Sequence, residues 1–329
     1  MLTRRTLLSH LTYAVLAATP FSMTGCWRAE KLAMGIHPWI GYESLYLARD
    51  LGWLPAGVSL HPVENNSEKM ALLASGIIEG GCFTLDEVLQ ARSQGIPLII
   101  VLVFDISAGA DVVLVSTRSD GAPIRIEKGI RIGYEANQVG ELMLQLLLDH
   151  CHLSRNEVHL LDLPAGEAQK AAWQQAEVDV LITFEPYASE LMRMGAKVAF
   201  STRDFPQRVF DVLAVRHDRI QHYEGLLSAL LAVHFKAQQR IFSSREDVLY
   251  RMAARYKMSY DEAKQAMAGV VWPDVERNRM LLTRDEHFQQ AIRALNQIME
   301  ANGMIVRRDD LQRLFTHQYL PAVRLGADL

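Results

Sequence analysis

From Lys31 onward, short apolar, β-branched runs alternate with helix-length amphipathic segments, the pattern of an α/β protein. The runs that read as strands are 31–36, 58–63, 80–83, 98–104, 111–117, 129–134, 158–163, 179–183, 197–201 and 209–215. Between them, 42–52, 67–75, 85–94, 139–151, 166–175 and 187–194 carry helical spacing. After His217 the pattern turns helical, with amphipathic faces such as 223–239 and 288–299 that read as core packing, and no further strand is expected. Two strands, 111–117 and 209–215, follow their predecessors without a helical crossover. These are the places where the chain is expected to pass between two lobes, lobe 1 being 27–112 plus 214–329 and lobe 2 being 113–213.

The first 25 residues break this pattern. Arg4 and Arg5 precede an apolar run from Leu7 to Ala18, followed by Pro20 and the small-residue end Thr24-Gly25-Cys26, the order of a secretory signal peptide. The run is about a dozen residues, short of the roughly 20 that span a bilayer, so the mature chain is expected to have no transmembrane helix. Met23-Thr24-Gly25-Cys26 resembles a bacterial lipobox, in which cleavage before the cysteine is followed by its lipidation, with Met23 where Leu is usual. An ordinary signal peptide followed by a chance cysteine fits the same residues, and Thr3-Arg4-Arg5 fits both general and twin-arginine export.

The 329 residues suit two units of about 150, and 22% charged with 50% hydrophobic residues describes a globular chain. The net charge is −4, and losing residues 1–25 removes two arginines and no acid, giving −6. With no long basic block, nucleic acid is not an expected partner; a small molecule or a protein is. Cys82 and Cys151 have no metal-type spacing and read as unpaired thiols. His150-Cys151-His152 sits at a helix end, where i and i+2 point apart and histidine suits the dipole, so no metal site or cofactor is expected. No phosphate loop, His-Glu-x-x-His helix or nucleophile elbow occurs in the chain.

Candidate ligand residues fall at the carboxyl ends of strands, where open α/β sheets bind ligands. They are Trp39 and Tyr42, Thr84 and Asp86, Asp105 and Ser107, Glu135 and Gln138, and Glu185 and Tyr187. Carboxylates, hydroxyls and aromatics recur there, whereas Lys and Arg do not. Helix capping explains Asp, Ser and Thr at such places one by one, but not the shared sign.

Four stretches, Gly35 to Tyr42, Asp105 to Asp111, Phe184-Glu185-Pro186-Tyr187 and Asp211-Val212-Leu213, together resemble substrate-binding proteins of ABC importers, in the nitrate, sulfonate, taurine and thiamine-precursor group. Trp272-Pro273 and Asn278 fit the same pattern in the tail. The resemblance implies an α/β, type II periplasmic-binding-protein fold: two lobes with mixed sheets flanked by helices, a ligand held in the cleft, and closure about a hinge. It places Trp39 and Tyr42 on one wall, Asp86, Asp105, Ser107 and Asp111 on the polar edge of lobe 1, and Glu135, Gln138, Glu185, Tyr187 and Asp211 opposite, with Thr84 as the hydroxyl after the third strand. It also implies an ABC permease with its ATPase as partners, and a monomeric lipoprotein held outside the cytoplasm through Cys26.

A nitrate or sulfonate pocket is expected to show Arg, hydroxyls and helix-start N–H groups. The acids here favour an amine or an aminopyrimidine-like ring stacked on Trp39 or Tyr187. An anion remains the alternative if only Thr84, Ser107, Gln138 and main-chain groups face it. The other readings are a sensor lobe for a signalling receptor and, disfavoured by the export signal, a biosynthetic enzyme on the same fold.

Overall fold

In a computed structural model, residues 31–63 and 66–322 are described, together with the backbone but not the side chains of Asn66 and Gln138. The signal peptide, the lipobox and Cys26 lie outside the described residues. Two mixed sheets organise the chain. The first has the order β11 (Val270–Val271), β4 (Leu98–Ser107), β10 (Phe210–Arg216), β3 (Gly80–Thr84), β1 (Leu32–Ile36), β2 (Val58–Pro62), and the second β7 (His159–Asp162), β6 (Arg131–Tyr134), β8 (Val180–Phe184), β5 (Asp111–Val115), β9 (Lys197–Ser201).

The first half of the chain builds the first sheet through right-spaced strand and helix pairs: β1 (Leu32–Ile36), α1 (Glu43–Asp50), β2 (Val58–Pro62), α2 (Asn66–Ser75), β3 (Gly80–Thr84), α3 (Leu85–Ser93) and β4 (Leu98–Ser107). β1 pairs in parallel with β2 and β3, as strands joined by helices must. β4 is buried at all ten positions, which is why it reads as one continuous apolar run rather than an alternating one. The chain then enters the second sheet at β5 (Asp111–Val115). That sheet is completed by β6 (Arg131–Tyr134), α4 (Gln138–Cys151), β7 (His159–Asp162), α5 (Glu167–Gln174), β8 (Val180–Phe184), α6 (Tyr187–Arg193) and β9 (Lys197–Ser201). β5 is antiparallel to both β8 and β9.

β10 (Phe210–Arg216) returns to the first sheet, lying antiparallel between β3 and β4. The helices α7 (Glu224–Ser243), α8 (Arg245–Tyr256), α9 (Tyr260–Met267), α10 (Val275–Leu281) and α11 (Glu286–Ala301) follow. α7 packs on α1, and α11 on α3. The tail is not purely helical: β11 (Val270–Val271) pairs antiparallel with the end of β4, and Phe315 bridges to Ile100. Two valines between Gly269 and Trp272-Pro273 are too few to show a period, so their pairing is decided by the exposed edge of β4. No helix among the described residues is long and apolar enough to cross a membrane.

The two passages between the sheets, 108–110 and 202–209, are tied to each other. Ser107 and Thr202 hydroxyls lie 2.7 Å apart, Thr202 Oγ1 accepts from Gly109 N–H at 2.7 Å, and Arg203 Nε donates to Ala108 O at 2.9 Å. Gly109 has φ +122°, and a Cβ there would meet Arg203 Nε at 2.6 Å, so both the conformation and the space call for glycine.

Candidate functional site: a carboxylate-lined cleft

A cavity of about 210 Å³ lies between the two sheets, where the carboxyl ends of β1, β3, β6, β7 and β8 meet the starts of β5 and β10. From the first sheet's side it is lined by His37, Pro38 and Trp39 after β1, Thr84 and Glu87 at the β3–α3 junction, and Val209 and Asp211 at β10. From the other side come Asp111, Glu135, Asn137 and Val139, Pro164 and Ala165, and Phe184 and Tyr187. Among the described residues four carboxylates line the wall, and neither Lys nor Arg does. Trp39 and Phe184 meet edge to face at 5.9 Å across the cleft, and Phe184 meets Tyr187 at 5.4 Å, giving one connected aromatic wall.

Of the residues chosen from sequence, Trp39, Thr84, Asp111, Glu135, Tyr187 and Asp211 line this cavity. Tyr42, Asp86, Asp105, Ser107 and Glu185 are not part of its lining. Tyr42 and Asp105 stand behind the wall: Tyr42 OH donates a short hydrogen bond to Asp211 Oδ1, and Trp39 Nε1 donates to Asp105 Oδ2 at 3.2 Å. Asp105 packs so closely on the 40–42 turn that a Cβ on Gly41 would fall 1.7 Å from its Oδ2, which excludes any other residue there. Ser107 belongs to the crossing between the sheets. Glu185 is turned onto its own helix, accepting from Ser189 N at 3.1 Å and Ser189 Oγ at 2.9 Å, a capping role that leaves its carboxylate in the first turn of α6. Gln138 opens α4, and its side chain is outside the described residues.

Sequence reasoning passed over His37, Glu87, Asn137, Pro164, Ala165, Phe184 and Lys69. Glu87 had a signal, since Thr84-Leu85-Asp86-Glu87 is a capping-box spacing and Thr84 N–H does donate to Glu87 Oε2 at 3.0 Å. Lys69 had none. It lies mid-helix in α2, yet it is fully buried, donating to Glu87 Oε2 at 2.9 Å and Cys82 O at 2.8 Å, with its Nζ 3.4 Å from His37 Nδ1. Its charge is therefore spent on Glu87. Burial, and then Lys69, push His37 well below its ordinary range, so the imidazole facing the cavity is neutral.

The acids at the sheet edge crowd one another. Asp211 sits directly opposite Asp105 on β4 and opposite Thr84 on β3. Like charges facing across strands are destabilising, the more so without water. Desolvation first, then neighbouring acids, raise Asp105 and Asp211 well above the carboxylate range. Burial lifts Asp86 to about 7 and Asp111 to about 6, and it raises Glu135. Asp105 Oδ1 and Asp111 Oδ2 are buried without a hydrogen-bond partner. Such groups are costly unless a donor arrives, and the cleft is where one can. Among the described residues no group of His, Cys, Asp and Glu is disposed to hold a metal ion.

The NMT1-like family model matches residues 28–256, more than two thirds of the chain. The chain belongs to the NMT1-like family. No curated protein sequence matches it at a significant level. Among solved structures it is similar to the periplasmic aliphatic sulphonate-binding protein SsuA from Escherichia coli, at TM-score 0.72 and 18% identity over 91% of this chain and 95% of that one. The alkanesulfonate-binding protein SsuA from Xanthomonas axonopodis pv. citri, bound to MOPS, matches at TM-score 0.71 and 17% identity over 88% and 99%. The desulfurization enzyme DszB matches at TM-score 0.65 and 15% identity over 88% and 97%. The NMT1-like chain thus has the periplasmic-binding-protein fold, in agreement with the resemblance read from its motifs. Identities this low carry the fold and leave the ligand to be argued from the site.

Proposed function

We propose that this NMT1-like protein is the extracytoplasmic solute-binding component of an ABC importer, and that its ligand is a small cation or N–H-rich heterocycle of the amine or aminopyrimidine type. The observation that carries the ligand class is a cavity wall with four carboxylates and no Lys or Arg, in which the nearby lysine is already paired. A sulfonate, as bound by the two SsuA neighbours, would face Asp111 and Glu135 at low dielectric, Glu87 being already paired with Lys69, whereas a cation supplies the donor that Asp111 Oδ2 lacks. The wall of Trp39, Phe184 and Tyr187 suits a flat, positively charged ring.

On this reading the two lobes, expected at 27–112 plus 214–329 and at 113–213, change over at the passages 108–110 and 202–209, which leaves β5 whole in the second lobe and β10 whole in the first, and closure bends those tied passages. Cys26 bears a lipid anchor outside the cytoplasm, and a monomer delivers its load to a permease driven by an ATPase. The fold neighbour DszB is an enzyme. Among the described residues of this chain the cavity wall carries no cysteine, and Cys82 is fully buried with its thiol pushed up by burial, which supports binding without covalent chemistry.

The test is native mass spectrometry of the mature chain carrying Cys26→Ser, followed by denaturation to release and weigh what co-purifies, with a thermal-shift screen of cations, heterocycles and sulfonates alongside. A nitrogenous cation or aminoheterocycle is expected. A sulfonate or another anion overturns the ligand assignment. A gene neighbourhood with a permease and an ATPase is expected, and an orphan receptor kinase in their place would move the protein to sensing.

A further inference from the structure

A side chamber of about 20 Å³ shares Asp111, Glu135 and Phe184 with the wall of the main cavity and is lined beyond them by Met143, Gln169 and Thr183. That is room for about one water-sized group. Three of its residues each carry a buried oxygen without a hydrogen-bond partner: Asp111 Oδ2, Gln169 Oε1 and Thr183 Oγ1. They are 4%, 0% and 3% exposed, so bulk water does not satisfy them.

The orientation of the Gln169 amide is fixed by its surroundings. Its Nε2 donates to two backbone carbonyls, Leu163 O at 3.2 Å and Ile182 O at 3.1 Å, so both N–H groups are committed. Turning the amide over would set its oxygen against those two carbonyls. Oε1 is therefore held as an acceptor, beside a carboxylate and a hydroxyl that can also accept. Asn137 is engaged elsewhere, its Oδ1 accepting from Gly140 N–H at 2.8 Å and its side chain bonding to the Glu135 carboxylate. A lone water brings two protons and no charge, which leaves Asp111 unbalanced; an ammonium group brings three protons and the missing charge in the same volume.

We propose that this chamber is the subsite for a terminal primary ammonium group of the ligand, admitting an unbranched –NH3⁺ head and excluding its N-methylated forms. The inference rests on the cationic reading of the cleft and narrows it to a ligand with an aromatic or heterocyclic body and an aminomethyl-like end. The main cavity takes the ring against Trp39 and Tyr187, and the chamber takes the head.

Benzylammonium and benzyltrimethylammonium carry the same ring and the same charge and differ only in the head. Isothermal titration of each into the mature chain carrying Cys26→Ser should give at least about tenfold tighter binding of benzylammonium. Thr183→Val, which keeps the shape and removes the hydroxyl, should lower benzylammonium affinity about threefold to tenfold and leave benzyltrimethylammonium unchanged, with a melting curve reporting the fold of the variant. Equal affinity for the two probes overturns the ammonium chamber while leaving the cationic cleft in place, as does a loss in Thr183→Val that is the same for both. Binding of neither probe overturns the cationic reading and the chamber with it.

Discussion

Two sets of buried acids are treated in opposite ways. On the outer face of α1, Glu43 is fully buried beside Arg255, which reaches both of its oxygens at 3.3 Å and Asp50 at 2.6 Å, while Tyr256 adds a hydroxyl at 3.4 Å. Glu87 has Lys69, and Glu79 has Arg219 at 2.7 Å. At the cleft wall and just behind it, Asp105, Asp111 and Asp211 are buried to the same degree, yet among the described residues their side chains accept from a tryptophan, a tyrosine and a serine and from no base. Among the described residues Glu43, Glu79 and Glu87 each have a basic partner, and Glu87 does so at the cavity wall itself, whereas Asp105, Asp111 and Asp211 have none.

The largest effect expected from this contrast is on stability. Arg255→Ala should destabilise the protein by about 2–4 kcal/mol at pH 8 in a denaturant titration, because Glu43 loses its charge partner. The loss should shrink at pH 6, since burial already raises Glu43 to about 7 and a proton can replace the guanidinium. Asp111→Asn should cost nothing or add stability, because it removes a buried charge that has no countercharge. If the two variants lose alike, the distinction between the clusters fails.

A smaller effect follows from pH. Acids whose folded values are raised, Asp86 to about 7 and Asp111 to about 6, bind more protons folded than unfolded between the ordinary carboxylate range and pH 7. Unfolding free energy therefore falls as pH rises through that window, so the ligand-free protein should show a higher Tm at pH 5.5 than at pH 7.5. Asp86→Asn with Asp111→Asn should flatten that slope. Benzylammonium affinity should move the other way, strengthening from pH 5.5 to pH 7.5 as the carboxylates ionise; a flat profile would place the binding charge elsewhere.

The smallest effect concerns the ion pair bridging α6 and α9, Arg193 Nε to Glu262 Oε1 at 2.7 Å. Arg193 is half exposed, so Arg193→Ala should change stability by no more than about 1 kcal/mol. Because the pair joins the two sides of the cleft, its loss should show chiefly as faster release of benzylammonium in stopped-flow measurements.

Much of this was legible before any coordinates. Every strand expected before His217 forms, within a few residues at its ends, because each is a short apolar run between turn residues and its identity is a local matter. The acidic bias at the strand ends was equally visible, since the rule that ligands gather there needs only the order of elements. The family followed from short motifs in their order. What could not be read was which side of an element each polar residue serves. Glu185 and Glu135 look alike in sequence, both following a strand, yet one folds back onto Ser189 and the other lines the cavity. Lys69 and Glu87 are 18 residues apart and meet only because α2 and α3 pack around β3. The Gln169 amide is fixed by carbonyls from two different segments. Local pattern decides where strands and helices run, because hydrophobic periodicity is a property of neighbours in the chain. Which acids are paired and which are left without a base is set by long-range packing, because charge compensation depends on distances that only the folded chain creates.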